Sequence, residues 1–285
     1  MPEVKEPVSI TSVYGPPRQG MHRHEFIGAN FFMLRLLNAH RDELSVKALP
    51  QELTATANQT AEFLKAQSAR VSIQGLDLTP RGLSFEVRVE NLTGHKLPTA
   101  YPSRRAWLHL RVSDSHGRTV FDSGALNSDG SIVGNDNDTD PLQYEPYYRE
   151  ITSPDQVEIF EPILKNSAGR VTTGLLSAVG YLKDSRILPR GFDKSTAEPD
   201  IAVVGAAADD PDFNDKGASV RYIVNTGTAT SPFHVEVELW FQPIGFRWAH
   251  NLEPYQATEP QRFVGYFKSA AAHSAIILAS AEATR

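Results

Sequence analysis

The chain has 285 residues, with 28 Lys and Arg against 34 Asp and Glu, and no cysteine. That length corresponds to roughly two domains of about 150 residues, or to one elaborated all-β domain. A net charge of −6, with no basic run longer than Arg104-Arg105, argues against nucleic acid held on a broad cationic face, and the missing cysteines exclude disulfides, thiolate zinc sites and cysteine nucleophiles.

Hydrophobic residues make up 40% of the chain and charged residues 22%, the balance of a globular protein. Apolar runs such as Phe31 to Leu37 and Ala275 to Ala279 fall far below the roughly 20 residues of a membrane span, so no transmembrane segment is expected. Residues Met1 to Pro7 lack the basic flank and apolar core of a signal peptide, and as they stand they read as the start of a cytoplasmic protein or of a fragment.

Residues 1–23 carry Pro2, Pro7, Gly15, Pro16, Pro17 and Gly20 without periodicity, which predicts an extended strap that packs on something else. From His24, the residues Ile27, Phe31, Leu34, Leu37 and Leu44 recur at helical spacing and predict a helix over 24–45. Pro50 suits a first helical turn, and Leu53, Ala57, Ala61 and Leu64 continue an apolar stripe to about Arg70. Residues 1–70 therefore read as a strap and helical hairpin.

At Val71 the period changes. Leu83, Phe85, Val87 and Val89 alternate with Ser84, Glu86, Arg88 and Glu90, the pattern of a strand with one wet face. Trp107 to Val112 and Thr119 to Asp122 follow, joined by the turn residues Asp114-Ser115-His116-Gly117. Alternation returns at Val220, Tyr222 and Val224 and again at Phe233, Val235, Val237, Leu239 and Phe241. The expected fold is mainly β with helices: an N-terminal helical hairpin packed on an antiparallel, immunoglobulin-like β-sandwich over 71–285, with a long insertion at about 124–217. The stretch from Pro260 to Arg285 fits either a strand through Ala275 to Ala279 or a short helix.

Nine histidines are available, and none falls in a helical zinc motif, since His24-Glu25-Phe26-Ile27-Gly28 lacks a second histidine. His24 lies on the expected helix face of Ile27 and Phe31. It either aims an imidazole into an apolar pocket or caps the helix. His95 follows a strand in Gly94-His95-Lys96-Leu97-Pro98-Thr99-Ala100-Tyr101-Pro102, where two prolines stiffen the chain around it. It suits a ligand, or else a loop histidine bonded to backbone. His109 and His234 occupy the polar side of their strands.

The loop residues Asp129, Asn135, Asp136, Asp138 and Asp140 offer oxygens of the kind calcium takes, yet the EF-hand pattern fails: counting from Asp136, Pro141 stands where glycine is required and Tyr147 where glutamate is. A solvated turn accounts for the same residues. No Gly-x-Ser-x-Gly elbow or phosphate-cradling glycine loop is present. A hydrolase would need a triad that no motif reveals.

Taken together, the stretch from His24 to Leu34 and the run Asn91-Leu92-Thr93-Gly94-His95-Lys96-Leu97-Pro98-Thr99 through Trp107 resemble the C-terminal region of bacterial multihaem c-type cytochromes. In that family a Gly-His-x-x-Pro-Thr loop follows a strand, and a His-x-Phe-x-Gly segment opens the helix after the last haem-binding motif. The resemblance extends to Gly130-Ser131-Ile132-Val133-Gly134-Asn135-Asp136-Asn137-Asp138. It implies that His24 and His95 are distal ligands to haem c held by an upstream haem-bearing segment, with redox proteins as further partners and a periplasmic or extracytoplasmic setting for the parent. The departure is the missing Cys-x-x-Cys-His, without which this chain holds no haem covalently. It implies no activity for this chain alone. The alternative is an extracytoplasmic sandwich module that binds calcium and a carbohydrate or protein partner, using aromatics such as Trp240, Trp248 and Tyr255.

Overall fold

The computed structural model describes residues 3–9, 15–22 and 27–285. Within the N-terminal strap, isolated bridges join Glu3 to His22 and Val8 to Arg18, so its described parts pair with each other. Helix α1 (Phe31–Ala39) begins later than the apolar spacing predicts, because the Asn30 side chain accepts the Met33 amide at 3.0 Å and closes the first turn there. Ile27 to Ala29 are consequently not helical, which corrects the expected helical placement of Ile27 on the face of Phe31. Helix α2 (Pro50–Gln67) starts at the proline, whose missing N–H costs nothing in a first turn, and the Glu52 carboxylate accepts the Leu49 amide at 3.0 Å.

The strands that follow are β1 (Ala69–Thr79), β2 (Gly82–Asn91), β3 (Arg105–Ser113) and β4 (Thr119–Ser123). The insertion contributes the short helix α3 (Asp136–Thr139) and strands β5 (Glu150–Ile151), β6 (Ile159–Phe160), β7 (Pro162–Asn166), β8 (Val171–Thr172) and β9 (Ala178–Asp184). After it come β10 (Ala218–Val224), β11 (His234–Gln242), α4 (Phe246–His250), α5 (Thr258–Ala270) and β12 (Ile276–Thr284). The C-terminal stretch thus holds both a helix and a strand.

One sheet has the order β1-β2-β10-β5, the second β12-β11-β3-β4 with β6 also paired to β3, and a small third sheet β8-β7-β9. The period-2 pattern sets the inner faces. Val220 on β10 opposes Val87 on β2 and Tyr222 opposes Phe85, their rings stacked 5.5 Å apart. In the second sheet Val235, Val237 and Leu239 oppose Val112, Leu110 and Leu108. These side chains share one buried cluster with Phe31, Phe32 and Leu36 of α1 and Leu64 of α2, so the helical hairpin is built into the same core as the sheets. Each fully buried Val, Leu or Phe stabilises by about 1.5–3 kcal/mol. The pairing is antiparallel throughout both large sheets except at β5, which the insertion lays parallel to β10 as an edge strand.

The insertion also covers the outer face of the second sheet. Trp107 points away from Ala106 and Leu108 and packs with Ile132, Val157 and Ile159, while its indole N–H donates to the Gly124 carbonyl at 2.9 Å. Gly124 has φ of 82°, and a Cβ there would stand 2.4 Å from the Leu108 carbonyl oxygen, so only glycine turns the chain at this point. Among the described residues, no helix is long and apolar enough to cross a membrane.

Candidate functional site

The loop that leaves β2 is tied down over its whole length. Asn91, buried at the strand end, donates through Nδ2 to the carbonyls of His95 at 2.6 Å and Ile187 at 3.0 Å, and its Oδ1 accepts the Thr93 amide at 2.9 Å. Leu97 and Ile187 exchange both backbone hydrogen bonds, at 2.9 and 2.8 Å. Lys96 reaches the fully buried Asp184 carboxylate at 2.7 Å, where Arg186 adds two bonds of 2.7 Å each. Burial alone would raise the Asp184 carboxyl, but the hydrogen bonds and charges of Arg186 and Lys96 outweigh it and hold the group below the usual carboxylate range. Burial lowers the Lys96 ammonium, against the pull of Asp184.

The result is an exposed imidazole on a fixed base. His95 Nδ1 lies 3.0 Å from the Lys96 carbonyl oxygen. The Thr93 hydroxyl stands 3.1 Å from the same nitrogen. With its proton on Nδ1 the ring donates to that carbonyl and keeps the lone pair on Nε2, the arrangement found behind most metal-bound histidines. The ring stands at a cavity of about 310 Å³ whose walls include Ile27, Gly28, Ala29, Leu64, Leu97 and Pro98. The two sequence stretches singled out above, His24 to Leu34 and Asn91 to Trp107, therefore meet at one hollow, the first through Ile27 to Ala29 and the second through residues between Thr93 and Arg104. His24 lies outside the described residues.

The acidic loop spends its oxygens locally. Asp129 accepts the Ser131 amide and hydroxyl at 2.9 and 2.6 Å, Asn135 caps α3 through the Asn137 amide, and Asp140 accepts the Leu142 amide at 2.9 Å. Asp136 is exposed, with its amide donating to Glu145. Asp138 is buried and its two oxygens face Arg105 Nη1 and the Ile132 amide, each at 2.8 Å. These are turn, cap and ion-pair contacts. Among the described residues, the group of three His, Asp or Glu ligand atoms lying within 4.8 Å of one another is His234, Glu236 and Glu282, on the exposed face of β11 and β12.

Other histidines have structural partners. His109 is bracketed by Asp122 at 3.0 Å and Glu238 at 3.3 Å across neighbouring strands. His250 stacks on Phe246 with ring centroids 3.8 Å apart, and burial lowers its pKa despite Glu253. The residues that sequence reasoning missed are Asn91 and Asp184, which hold the His95 loop. Asp184 belongs to no motif and meets Lys96 only through the fold.

No protein-family model and no curated protein matches the sequence. Among solved structures the chain is similar to a penta-haem cytochrome c552 from Thermochromatium tepidum, with a TM-score of 0.44 and 15% identity, over 79% of this chain and 41% of that one. The chain thus spans less than half the length of that cytochrome.

Proposed function

We propose that this chain is the haem-free module of a multihaem c-type cytochrome, and that it presents His95, together with His24, as distal axial ligands to haems carried by an upstream segment of an extracytoplasmic assembly. The observation that carries the reading is the His95 ring: exposed at an apolar hollow, with Nδ1 3.0 Å from the Lys96 carbonyl oxygen, which makes Nε2 the nitrogen that would coordinate. A haem iron bound there supplies one-electron transfer. The chain's own part is positional. Asn91 and the Leu97–Ile187 pairing fix the height of the ring, Lys96 and Asp184 lock the residue beside it, and Leu64, Leu97 and Pro98 keep water from the ligand's flank. With no cysteine, the chain contributes coordination and packing, and the covalent hold belongs to the partner segment.

The test is titration with a haem c octapeptide that has one open axial position. The full chain is expected to convert the peptide to a low-spin, two-histidine spectrum, and His95→Ala to weaken that conversion at least tenfold, with His24→Ala removing a second phase. An unchanged titration curve for His95→Ala would end the proposal.

A further inference from the structure

Arg104 and Arg105 are neighbours in sequence and opposites in environment. Arg105 is buried and fully matched: its guanidinium pairs with Asp138 at 2.8 Å, Gln242 Oε1 at 2.8 Å and the Gly130 carbonyl at 3.1 Å. Arg104 is half-buried; among the described residues its guanidinium donates to the Thr99 carbonyl at 3.2 Å, and no carboxylate lies within ion-pair distance of it. Taking a guanidinium partly out of water without a counter-charge costs free energy, and the cost falls when an anion arrives. Burial accordingly lowers the Arg104 pKa, with no acid among the described residues to oppose it.

Beside this cation is a cavity of about 390 Å³, separate from the hollow at His95 although Arg104 borders both. Its walls include the apolar and aromatic side chains of Met33 from α1, Trp248 from α4, Phe263 from α5, and Ile244, Leu252 and Tyr101, with Asn30, Ser103 and Thr173 as polar neighbours. Tyr101 meets Trp248 edge-on, with centroids 5.4 Å apart, and the Asn251 amide holds Thr173 at the rim through a 3.0 Å bond. The volume lies within the roughly 300–1,000 Å³ of small-molecule sites, and one orienting charge in an apolar enclosure is their usual construction.

We propose that this cavity binds a carboxylate carried on an apolar body, with Arg104 as the anion anchor and Tyr101, Trp248 and Phe263 as the wall against which the body packs. The guanidinium fork matches a carboxylate bidentately, which a lysine cannot do. Two sources fit the chemistry: a free organic acid, or a propionate edge of a haem seated at the neighbouring hollow. The site itself stands independently of iron ligation by His95.

The experiment titrates the full chain with 3-phenylpropionate and with its neutral amide, reading tryptophan fluorescence, with Trp248→Phe to assign the signal and His95→Ala to separate it from haem ligation. The expected result is saturable quenching from Trp248 by the acid, at least tenfold weaker for the amide and for Arg104→Met, and the same in His95→Ala. A haem c octapeptide is compared with its propionate ester. If the free acid does not bind but the octapeptide needs both its propionates and Arg104, the carboxylate comes from the haem edge and the anchor stands. Arg104→Lys, which keeps the charge and loses the fork, is read alongside in case Arg104→Met does not fold. Equal binding of acid and amide, or no dependence of either probe on its carboxylate and on Arg104, overturns the proposal.

Discussion

Glu158 is fully buried, with one carboxylate oxygen accepting the Tyr148 amide at 2.7 Å and the other lacking a hydrogen bond. Burial pushes its pKa up to about 8, against the pull of the nearby Lys183 ammonium. The folded value exceeds the unfolded one, so the native state binds this proton more tightly. Its contribution to stability is complete below about pH 4.5 and declines as pH rises toward about 8. Glu158→Gln removes that titration. Its Tm is expected to hold between pH 6 and pH 9 while the parent chain's falls by several degrees, at about 2–4 °C per kcal/mol. Parallel melting curves for the two proteins across that range would refute the assignment. Lys183, itself buried, donates to the Glu145 carbonyl at 2.9 Å and stands 3.6 Å from Glu161, so the whole cluster is coupled through one cation.

At the scale of elements, a buried ion pair adds to the β6 pairing and the Trp107 packing that fasten the insertion to the second sheet. Asp138 of α3 meets Arg105 of β3 inside the molecule, and Arg247 of α4 donates to the Asn137 and Asp138 carbonyls that close the same helix. Removing one partner leaves the other charge buried, so Asp138→Ala is expected to cost about 3–5 kcal/mol in urea unfolding, and the double variant Asp138→Leu with Arg105→Met to recover most of it. Additive losses in the double variant would show that the two side chains act separately. The strands were legible because alternation such as Leu83, Phe85, Val87 and Val89 reports directly on one wet and one dry face. The start of α1 was not: Ile27 lies at helical spacing from Phe31, but the Asn30 cap decides where the turn closes, and spacing carries no term for it. In the acidic loop Asp129, Asn135 and Asp140 combine the composition of a cation site with the contacts of turns and caps, and composition alone does not separate the two readings.

Over the whole molecule, the His95 loop was legible from its prolines and from the family resemblance, but its fastening was not. Asn91 and Lys96 precede the insertion while Asp184, Arg186 and Ile187 lie within it, and no local pattern links them. Asp184→Asn takes the charge from a site that holds two cations. It is expected to lower Tm by several degrees, to speed amide exchange over residues 94–98, and to weaken haem-peptide binding less than His95→Ala does. Exchange that rises everywhere equally would mean a loss of global stability and no special tie to the loop.

The two-way bond between Leu97 and Ile187 makes the imidazole a passenger on a segment that itself contains no histidine. A graft exchanging residues 124–217 for a different excursion would therefore re-aim the ring while leaving every neighbour in its own loop unchanged. The orientation of His95 can then be changed by remodelling the excursion rather than by altering its immediate sequence.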